Sequence, residues 1–159
     1  MSVGDNELII QGFWRSYWDL QNEEGDPVPK DYQAWRFGNT PDMADRLGEL
    51  VRIGIKTATA SLAWSYETGE EPYPETGGYS VILDGDGEPL CIIKTTSVAV
   101  HPFNEVSQLH AYQEGEGDRS LEHWRQVHWD FFSEECARIG KHPDERMPVV
   151  CETFELVYP

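Results

Sequence analysis

Apolar residues recur at helical spacing in two stretches of the first third of the chain. Residues 7–20 predict an amphipathic helix, and the turn-rich segment Glu23–Pro29 predicts a loop after it. Thr40 suits the N-cap, and Pro41 the first position, of a second helix that ends near Gly54. This second helix is expected to bury an apolar face made of Met43, Leu47, Leu50 and Val51.

The middle of the chain changes to a strand pattern. Two apolar runs flank the glycine-containing turn at residues 84–87, which predicts a β-hairpin. Strands are predicted at Lys56–Leu62, Tyr79–Leu83, Pro89–Thr96, Ser97–Val100 and Val149–Val157. Before the last strand, Ser120 begins a long helix to about Ile139, with an inner face of Leu121, Trp124, Val127, His128, Phe131 and Phe132. This order of elements predicts the α+β class, with helices that flank a small mixed β-barrel.

The composition fits one folded domain. A chain of 159 residues with 39% hydrophobic and 12% aromatic residues is long enough to bury a core. We expect neither a membrane span nor a signal peptide, because no long apolar run occurs and no basic segment precedes an apolar one at the start. Cys91, Cys136 and Cys151 lack C-x-x-C spacing and are expected to be reduced, mostly buried thiols of a cytoplasmic protein.

The charge bears on which ligands the protein binds. The chain has 29 acidic and 12 basic residues, a formal net charge of -17, and no basic run. A protein that holds long nucleic acid through its phosphates needs a basic stripe. The charge therefore argues against long double-stranded DNA and extended RNA, and it favours a small substrate or one nucleotide held in a local pocket.

Several motifs, in their order and spacing, resemble the ASCH domain family. Gly54–Thr59 fits the family pattern G-x-K-x-x-[TS]. The other segments are His110–Asp118 with the following Ser120-Leu121 and Trp124-Arg125, the closing strand Val149–Phe154, and Trp35–Gly38. Each motif alone is common by chance, but the combination is specific. The likeness runs from about Trp35 to the end of the chain.

The resemblance implies a PUA-like barrel, a fold associated with RNA and modified bases. It implies a single ASCH domain over residues 1–159, with an N-terminal helical extension at about 1–34. In its length and its E-G-E-G-D stretch the chain is closer to a longer bacterial branch, which includes a metal-assisted ribonuclease that acts on single-stranded RNA. A smaller branch looks like an amidohydrolase of N4-acetylcytidine, and its catalytic set matches Lys56, Thr59 and Glu114. Fold does not imply function, so the family alone leaves the reaction open.

These three residue types suit amide hydrolysis, which needs a nucleophile, a proton shuttle and oxyanion stabilisation. Thr59 offers a hydroxyl, and Lys56 becomes a base for it when burial makes the amine neutral. Glu114 either holds Lys56 in place or activates water and passes a proton to the leaving amine. A close carboxylate favours charged lysine and burial favours neutral lysine, so both roles stay open. Apart from the family likeness, a solvated lysine and a packing threonine are the commoner outcome.

Glu114 and Glu116 are also candidates for a divalent cation site, with Mn²⁺ or Mg²⁺ as the ion that a nuclease would use. Asp118 is a third oxygen donor, but a residue at a helix start more often caps backbone N–H groups. The five histidines have no metal-binding spacing, so no site built on them is expected.

Aromatic side chains near the motifs are candidates to stack on a base, although aromatics are more often core residues. The expected substrate-binding residues are Trp35, Arg36, Phe37, Ser61, Tyr66 and Glu116. Trp35 is favoured because Arg36 beside it can meet a phosphate or a base edge. Ser61 shares a strand face with Thr59.

The function predicted from sequence is therefore a cytoplasmic hydrolase, either a ribonuclease or an N4-acetylcytidine amidohydrolase. Its expected partner is RNA or a nucleoside, without a membrane, and a homodimer is a further expectation. The alternative is a non-catalytic module that binds RNA or a nucleotide and regulates another process. A third reading is a small interaction protein whose pocket has lost its role.

Overall fold

The computed structural model describes residues 3–22, 28, 29 and 31–159, with side chains from residue 6 onward. The predicted loop Glu23–Pro29 lies outside the described residues except for Val28 and Pro29. The chain forms two compact units, and each is built from separate stretches of sequence. The first comprises Met1–Gly54, Gly78–Lys94 and Glu155–Pro159, and the second comprises Ile55–Gly77 and Thr95–Phe154.

The described residues form four α-helices and a five-stranded mixed sheet, which confirms the α+β class. The helices are α1 (Val3–Gln21), α2 (Pro41–Arg52), α3 (Gln108–Glu114) and α4 (Leu121–Ile139). The strands are β1 (Gln33–Trp35), β2 (Ala58–Leu62), β3 (Tyr79–Leu83), β4 (Pro89–Pro102) and β5 (Pro148–Tyr158). Short 3-10 helices lie at Ala63–Thr68 and Phe103–Glu105. The strand order is β1-β3-β4-β5-β2, in which β1 is parallel to β3, and β2 is antiparallel to β5.

In the first unit, the apolar face predicted for residues 7–20 is only partly buried, because Leu8, Ile9 and Leu20 are exposed. Trp14 and Tyr17 of α1 pack in one buried cluster with Val81 and Ile92 of the β3–β4 hairpin. The cap of α2 is as predicted, since the Thr40 hydroxyl accepts a hydrogen bond from the backbone N–H of Met43. Leu47 and Val51 of α2 are buried, whereas Met43 and Leu50 are half-buried.

The hairpin is confirmed, but its second strand is longer than predicted. Instead of one strand to Thr96 and another from Ser97, β4 continues without a break for 14 residues. The residues at the expected break are threonine and serine, which a strand accommodates, and no glycine or proline stands there to turn the chain.

In the second unit, α3 and α4 pack on β2. The segment that precedes the acidic stretch is a helix that periodicity did not reveal, because α3 has only seven residues. Its ends carry standard signals: the Ser107 hydroxyl accepts from His110 N–H, and Gly115 ends the helix at φ 71°. The core here includes Leu62, Phe103, Trp124, Phe132, Cys136 and Val149.

The predicted inner face of α4 is partly wrong. Trp124, His128 and Phe132 are buried, but Val127 and Phe131 are each 37% exposed. These two residues are one turn apart on the flank of the buried stripe, and Cys136 takes the next buried position instead. All three cysteines are buried free thiols, as expected. None of the described helices has the length and apolar character that crossing a bilayer requires.

We expect Gly115→Ala to destabilise the protein more than Gly69→Ala does. Both glycines have positive φ, near 71° and 76°, so alanine costs about 1–2 kcal/mol of backbone strain at either position. Only at Gly115 would the added Cβ also meet backbone, 2.7 Å from the Ile55 carbonyl oxygen, whereas nothing lies within 4 Å at Gly69. Chemical denaturation of the two variants checks this, and equal losses would contradict it.

Candidate functional site

Six side chains of the second unit form one mostly buried polar cluster, which we call the lysine cluster. They come from the segment before β2, from α3 and its C-terminal turn, and from α4: Lys56, His110, Glu114, Glu116, Trp124 and His128. The sequence predicted Lys56, Glu114 and Glu116 as site residues, and the structure brings these three together.

Glu114 is the centre of the lysine cluster. Its side chain is only 2% exposed, yet four groups surround its carboxylate. Oε1 lies 3.5 Å from Lys56 Nζ and 3.3 Å from His128 Nε2. Oε2 lies 2.7 Å from His110 Nε2 and accepts a short hydrogen bond from Trp124 Nε1–H. A buried carboxylate needs such partners, because an uncompensated buried charge is very costly.

Lys56 is as deeply buried as Glu114, with 1% of its side chain exposed. Its ammonium donates to the Ala58 carbonyl oxygen at 2.9 Å and to Glu116 Oε2 at 2.9 Å. The backbone oxygen of Glu114 lies 3.4 Å away. An ammonium has three protons and no acceptor, so this set of oxygens suits the charged form of Lys56.

His128 adds a second cation to the lysine cluster. Its Nδ1 lies 2.9 Å from the Trp124 carbonyl oxygen, which only accepts, so Nδ1 carries a proton. Its Nε2 faces Glu114 Oε1, a carboxylate oxygen, and carries a proton as well. The imidazolium also stacks on the Trp124 ring, with centroids 4.2 Å apart and an interplanar angle of 15°. Lys56 and His128 thus balance Glu114 and Glu116.

The titration of Glu114 and His128 follows from this arrangement. Burial raises the pKa of Glu114, but the charges of His128 and Lys56, with hydrogen bonds from His110 and His128, outweigh burial and hold that pKa well below its ordinary value. Burial lowers the pKa of His128, but Glu114 outweighs it and raises that pKa above its ordinary value. Each group therefore favours the charged form of the other.

The local sequence explains why these side chains meet. His110 and Glu114 are four residues apart on α3, and Trp124 and His128 are four apart on α4, so each pair lies on one helix face. The motif segment is tied to α3 through the backbone, since Thr57 N–H donates to the Gln113 oxygen at 2.8 Å. After α3 the left-handed glycines of the E-G-E-G stretch turn the chain, so Glu116 also faces Lys56.

A small cleft opens beside the lysine cluster. Its volume is about 10 Å³, room for about one water molecule. The residues that line it are Ala111, Glu114, Glu116, His123, Trp124, Val127 and His128. At 21% exposure, the Glu116 side chain is the most accessible carboxylate of the cluster.

Glu114, Glu116 and His128 also form a set of three metal donors, whose ligand atoms all lie within 4.8 Å of one another. Two carboxylates and an imidazole suit Mn²⁺ or Zn²⁺ by donor type. An ion there would have to displace the Nε2 proton of His128 and compete with the Lys56 ammonium for both carboxylates. The spacing of the histidines in sequence did not indicate His128 as a third donor.

A second group of polar side chains lies on the other face of β2, and we call it the Glu152 recess. Ala60 and Leu62 of β2 pack in the core with α4, and alternation therefore directs Thr59 and Ser61 to the opposite face. Thr59 is the cross-strand partner of Glu152. The residues of the recess are Thr59, Ser61, Tyr66, Thr95 and Glu152. The structure therefore separates predicted Thr59, Ser61 and Tyr66 from the lysine cluster.

The remaining predicted contacts lie in the first unit. Trp35 is half-buried and packs edge-on against Phe37, with ring centroids 4.6 Å apart. Phe37 is only 4% exposed, so it offers a base little surface. Arg36 is exposed and donates to the Gly85 carbonyl oxygen at 3.2 Å.

The capping reading of the acidic stretch fits the start of α4. The hydroxyl of Ser120, the N-cap residue, accepts from His123 N–H at 3.1 Å, and Asp118 Oδ1 accepts from Ser120 N–H at 2.9 Å. The Arg125 guanidinium donates to the Asn104 carbonyl oxygen at 3.3 Å. Arg119 is the arginine that contacts this region, where it donates to the Tyr112 oxygen and stacks on that ring.

Sequence reasoning missed His110, His128 and Glu152 as site residues. The i, i+4 spacing of His110 and Glu114 was a usable signal, but it needed the α3 helix to be recognised first. Glu152 stands in the closing strand motif, yet nothing in one sequence tells which face of a strand its side chain occupies. Trp124 was correctly placed in the core, and its indole donor to Glu114 could not be foreseen.

Comparison with known proteins gives a family and similar structures. A family model described as ASCH domain matches residues 33–158. The crystal structure of an ASCH domain from Lactobacillus crispatus JV V101 has a TM-score of 0.88 at 35% identity, with 96% of each chain covered. A protein from Enterococcus faecalis V583 gives 0.84 at 37% identity, with 96% of this chain and 90% of that chain covered. The comparison with curated proteins gives no match. The likeness confirms the predicted PUA-like fold.

We expect Glu114→Gln to lower the free energy of unfolding by about 3 kcal/mol or more, because it leaves buried Lys56 and His128 without their shared counter-charge. The matched control is Glu105→Gln in the same unit, which breaks an exposed ion pair with Arg146 and should cost less than about 0.5 kcal/mol. Urea denaturation measures both. Equal, small losses would mean that the buried network adds no stability.

The cost of Glu114→Gln should also depend on pH. Glu114 has a lowered pKa, so its stabilisation is complete above its unfolded value of 4.5 and is lost as pH falls through the folded pKa. His128 has a raised pKa, so its stabilisation is complete below 6.5 and is lost as pH rises through its folded value. Thermal melts of wild type and variant should therefore differ most between pH 4.5 and 6.5. A difference that keeps growing above this window would contradict the pairing of His128 with Glu114.

Proposed function

This chain belongs to the ASCH domain family, whose PUA-like fold is often linked to RNA binding, and we propose that it is a hydrolase. The proposed substrate is single-stranded RNA or a modified nucleoside such as N4-acetylcytidine. The observation that carries the proposal is the lysine cluster, in which Lys56, His128 and Glu114 are buried and Glu116 is half-buried, next to a cleft of water size. Buried charge of this kind is typical of functional sites.

The contacts of Glu114 support a holding role. A carboxylate whose pKa lies well below its ordinary value is a poor proton donor, and four neighbouring groups already occupy its oxygens. We therefore propose that Glu114 fixes Lys56 and His128, and that the Lys56 ammonium stabilises negative charge that develops on the substrate. Of the two roles that the sequence left open for Glu114, this proposal favours positioning.

Glu116 is the carboxylate that we propose for acid–base work. It lines the cleft, it is the most exposed carboxylate of the cluster, and glycines with positive φ on both sides give its backbone freedom. In amide hydrolysis it would take a proton from water as the oxygen attacks the acyl carbon. The same proton would then pass to the leaving nitrogen as the C–N bond breaks.

Thr59 remains the alternative nucleophile implied by the family likeness. Its hydroxyl lies on the face of β2 opposite the lysine cluster, so the contacts favour water over Thr59. In the nuclease reaction, the donor set Glu114, Glu116 and His128 would hold a divalent cation, which supplies charge stabilisation at the phosphate. The single-domain organisation, a homodimer and a cytoplasmic location stay predictions.

A second candidate is the non-catalytic binding module. The observation in its favour is that the charges of the lysine cluster are satisfied internally, in a cleft of about 10 Å³. In that case the cluster is a rigid anchor for α3 and α4, and the ligand binds elsewhere on the protein.

The test is turnover of N4-acetylcytidine and of a short single-stranded RNA, each with and without Mn²⁺. We expect wild type to hydrolyse one of them, with losses of about a hundredfold or more in Lys56→Met and Glu116→Gln. Glu105→Gln should keep full activity. Because Lys56 is buried, its removal also threatens the fold, and circular dichroism must show that the variant is folded.

Thr59→Ala separates the two nucleophiles. Retained turnover assigns the attack to water, and a loss as large as that of Lys56→Met assigns it to Thr59. If wild type turns over neither substrate under any of these conditions, the hydrolase proposal fails and the binding module replaces it.

A further inference from the structure

The Glu152 recess is a polar site whose carboxylate, Glu152, has no role in the proposed reaction. Glu152 is 8% exposed, and the hydroxyl of Thr95, itself 4% exposed, donates to its Oε1 at 2.7 Å. A carboxylate can accept about four hydrogen bonds, and Thr95 supplies one of them. Burying a carboxylate on a sheet face for packing alone is costly, because an apolar residue would serve better there.

The side chains around Glu152 have the complementary chemistry of a binding site. Thr59 stands opposite Glu152 across the two strands, and directly opposed residues have Cβ atoms about 5 Å apart on one face. Farther along β2, Ser61 Oγ and Tyr66 Oη are 2.8 Å apart. These three side chains are half-buried, so they retain accessible surface next to the carboxylate.

Two tyrosines give this side of the unit an aromatic surface. The rings of Tyr66 and Tyr73 meet edge to face with centroids 5.2 Å apart, and Tyr73 is 44% exposed. Burial raises the pKa of the Tyr66 hydroxyl, and the charge of nearby Glu152 raises it further. A planar ligand could stack on such rings while its edge meets the carboxylate.

The hydrogen-bonding character of Glu152 restricts that edge. An ionised carboxylate only accepts, so it binds a ligand edge that donates N–H and repels one that presents a carbonyl oxygen. Among nucleobases, an exocyclic amino group offers such a donor, and Glu is a known partner for the amino group of cytosine. Uracil has the same shape but presents a carbonyl oxygen at that position.

We propose that the Glu152 recess is a nucleobase subsite in which Glu152 accepts a hydrogen bond from an exocyclic amino group and thereby selects amino-bearing over keto bases. The base stacks against Tyr66. This inference rests on the proposed function only in that it assumes a nucleobase ligand. It places base recognition on the face of β2 opposite the lysine cluster, so the base that it holds belongs to the single-stranded RNA substrate. In N4-acetylcytidine the amino nitrogen itself carries the reacting acyl group and has to lie at the lysine cluster instead.

Equilibrium binding of CMP and UMP tests the proposal, because the two ligands differ only in the amino and keto groups and the ring proton. Burial raises the pKa of Glu152, and the hydrogen bond from Thr95 offsets this only in part, so binding is measured at about pH 8 to favour the ionised carboxylate. Wild type should then bind CMP at least about tenfold more tightly than UMP. Glu152→Gln should bring the two affinities to within about twofold, since a side-chain amide can turn to offer either a donor or an acceptor.

Two further variants control the experiment. Glu155→Gln removes an exposed carboxylate from the same strand and should keep the wild-type preference. Tyr66→Leu should weaken the binding of CMP and of UMP by a similar factor, about tenfold, because the base loses its stacking partner. Glu152→Gln can still accept from the Thr95 hydroxyl, so it should fold, and its thermal midpoint verifies this.

Equal binding of CMP and UMP by wild type, no binding of either, or an undiminished preference in Glu152→Gln would each overturn the proposal. Turnover measured on the same proteins separates this inference from the proposed function. Selective binding without turnover would support the subsite and reject the hydrolase. Turnover together with equal binding of CMP and UMP would support the hydrolase and reject the subsite.

Discussion

The buried negative charge of Glu114 is the constraint around which the second unit is organised. A carboxylate with 2% exposure has to be matched within a few ångströms, and the matching groups come from three separate stretches of chain. Lys56 comes from the segment before β2, His110 from α3, and Trp124 and His128 from α4. These elements hold each charge in place, so removal of one partner leaves the remaining charges buried without a counter-charge.

The same constraint assigns roles within the candidate site. Glu114, whose carboxylate has four neighbouring partners, is the less suited of the two carboxylates to proton transfer. Glu116, at the edge of the lysine cluster, is better suited to it. Lys56 Nζ lies 2.9 Å from Glu116 and 3.5 Å from Glu114, which favours electrostatic stabilisation over action as a base. A reaction at this site would therefore depend on groups at the rim of the cleft and on water, with the buried groups as a rigid frame.

The polar residues of the two candidate sites in the second unit lie on opposite faces of β2, and we propose a different role for each group. Lys56 and its partners lie on the helix side, where burial and fixed charges dominate. Thr59, Ser61 and Glu152 lie on the other side, where half-buried hydroxyl groups and tyrosines surround one carboxylate. A net charge of -17 does not prevent either site from binding a nucleotide, because recognition here uses local contacts rather than a basic surface.

The sequence by itself determined the α+β class, the caps of α2 and α4, the β-hairpin and the family, because helix periodicity, turn glycines and motif spacing are local signals. It also singled out Lys56, Glu114 and Glu116. Only the tertiary structure decided that His110, Trp124 and His128 join these residues and that Thr59 faces Glu152 instead. Those facts depend on how α3 and α4 pack on β2 and on which face of a strand a side chain occupies. Neither the packing of these helices nor the face of a strand can be predicted from the spacing of residues along one chain.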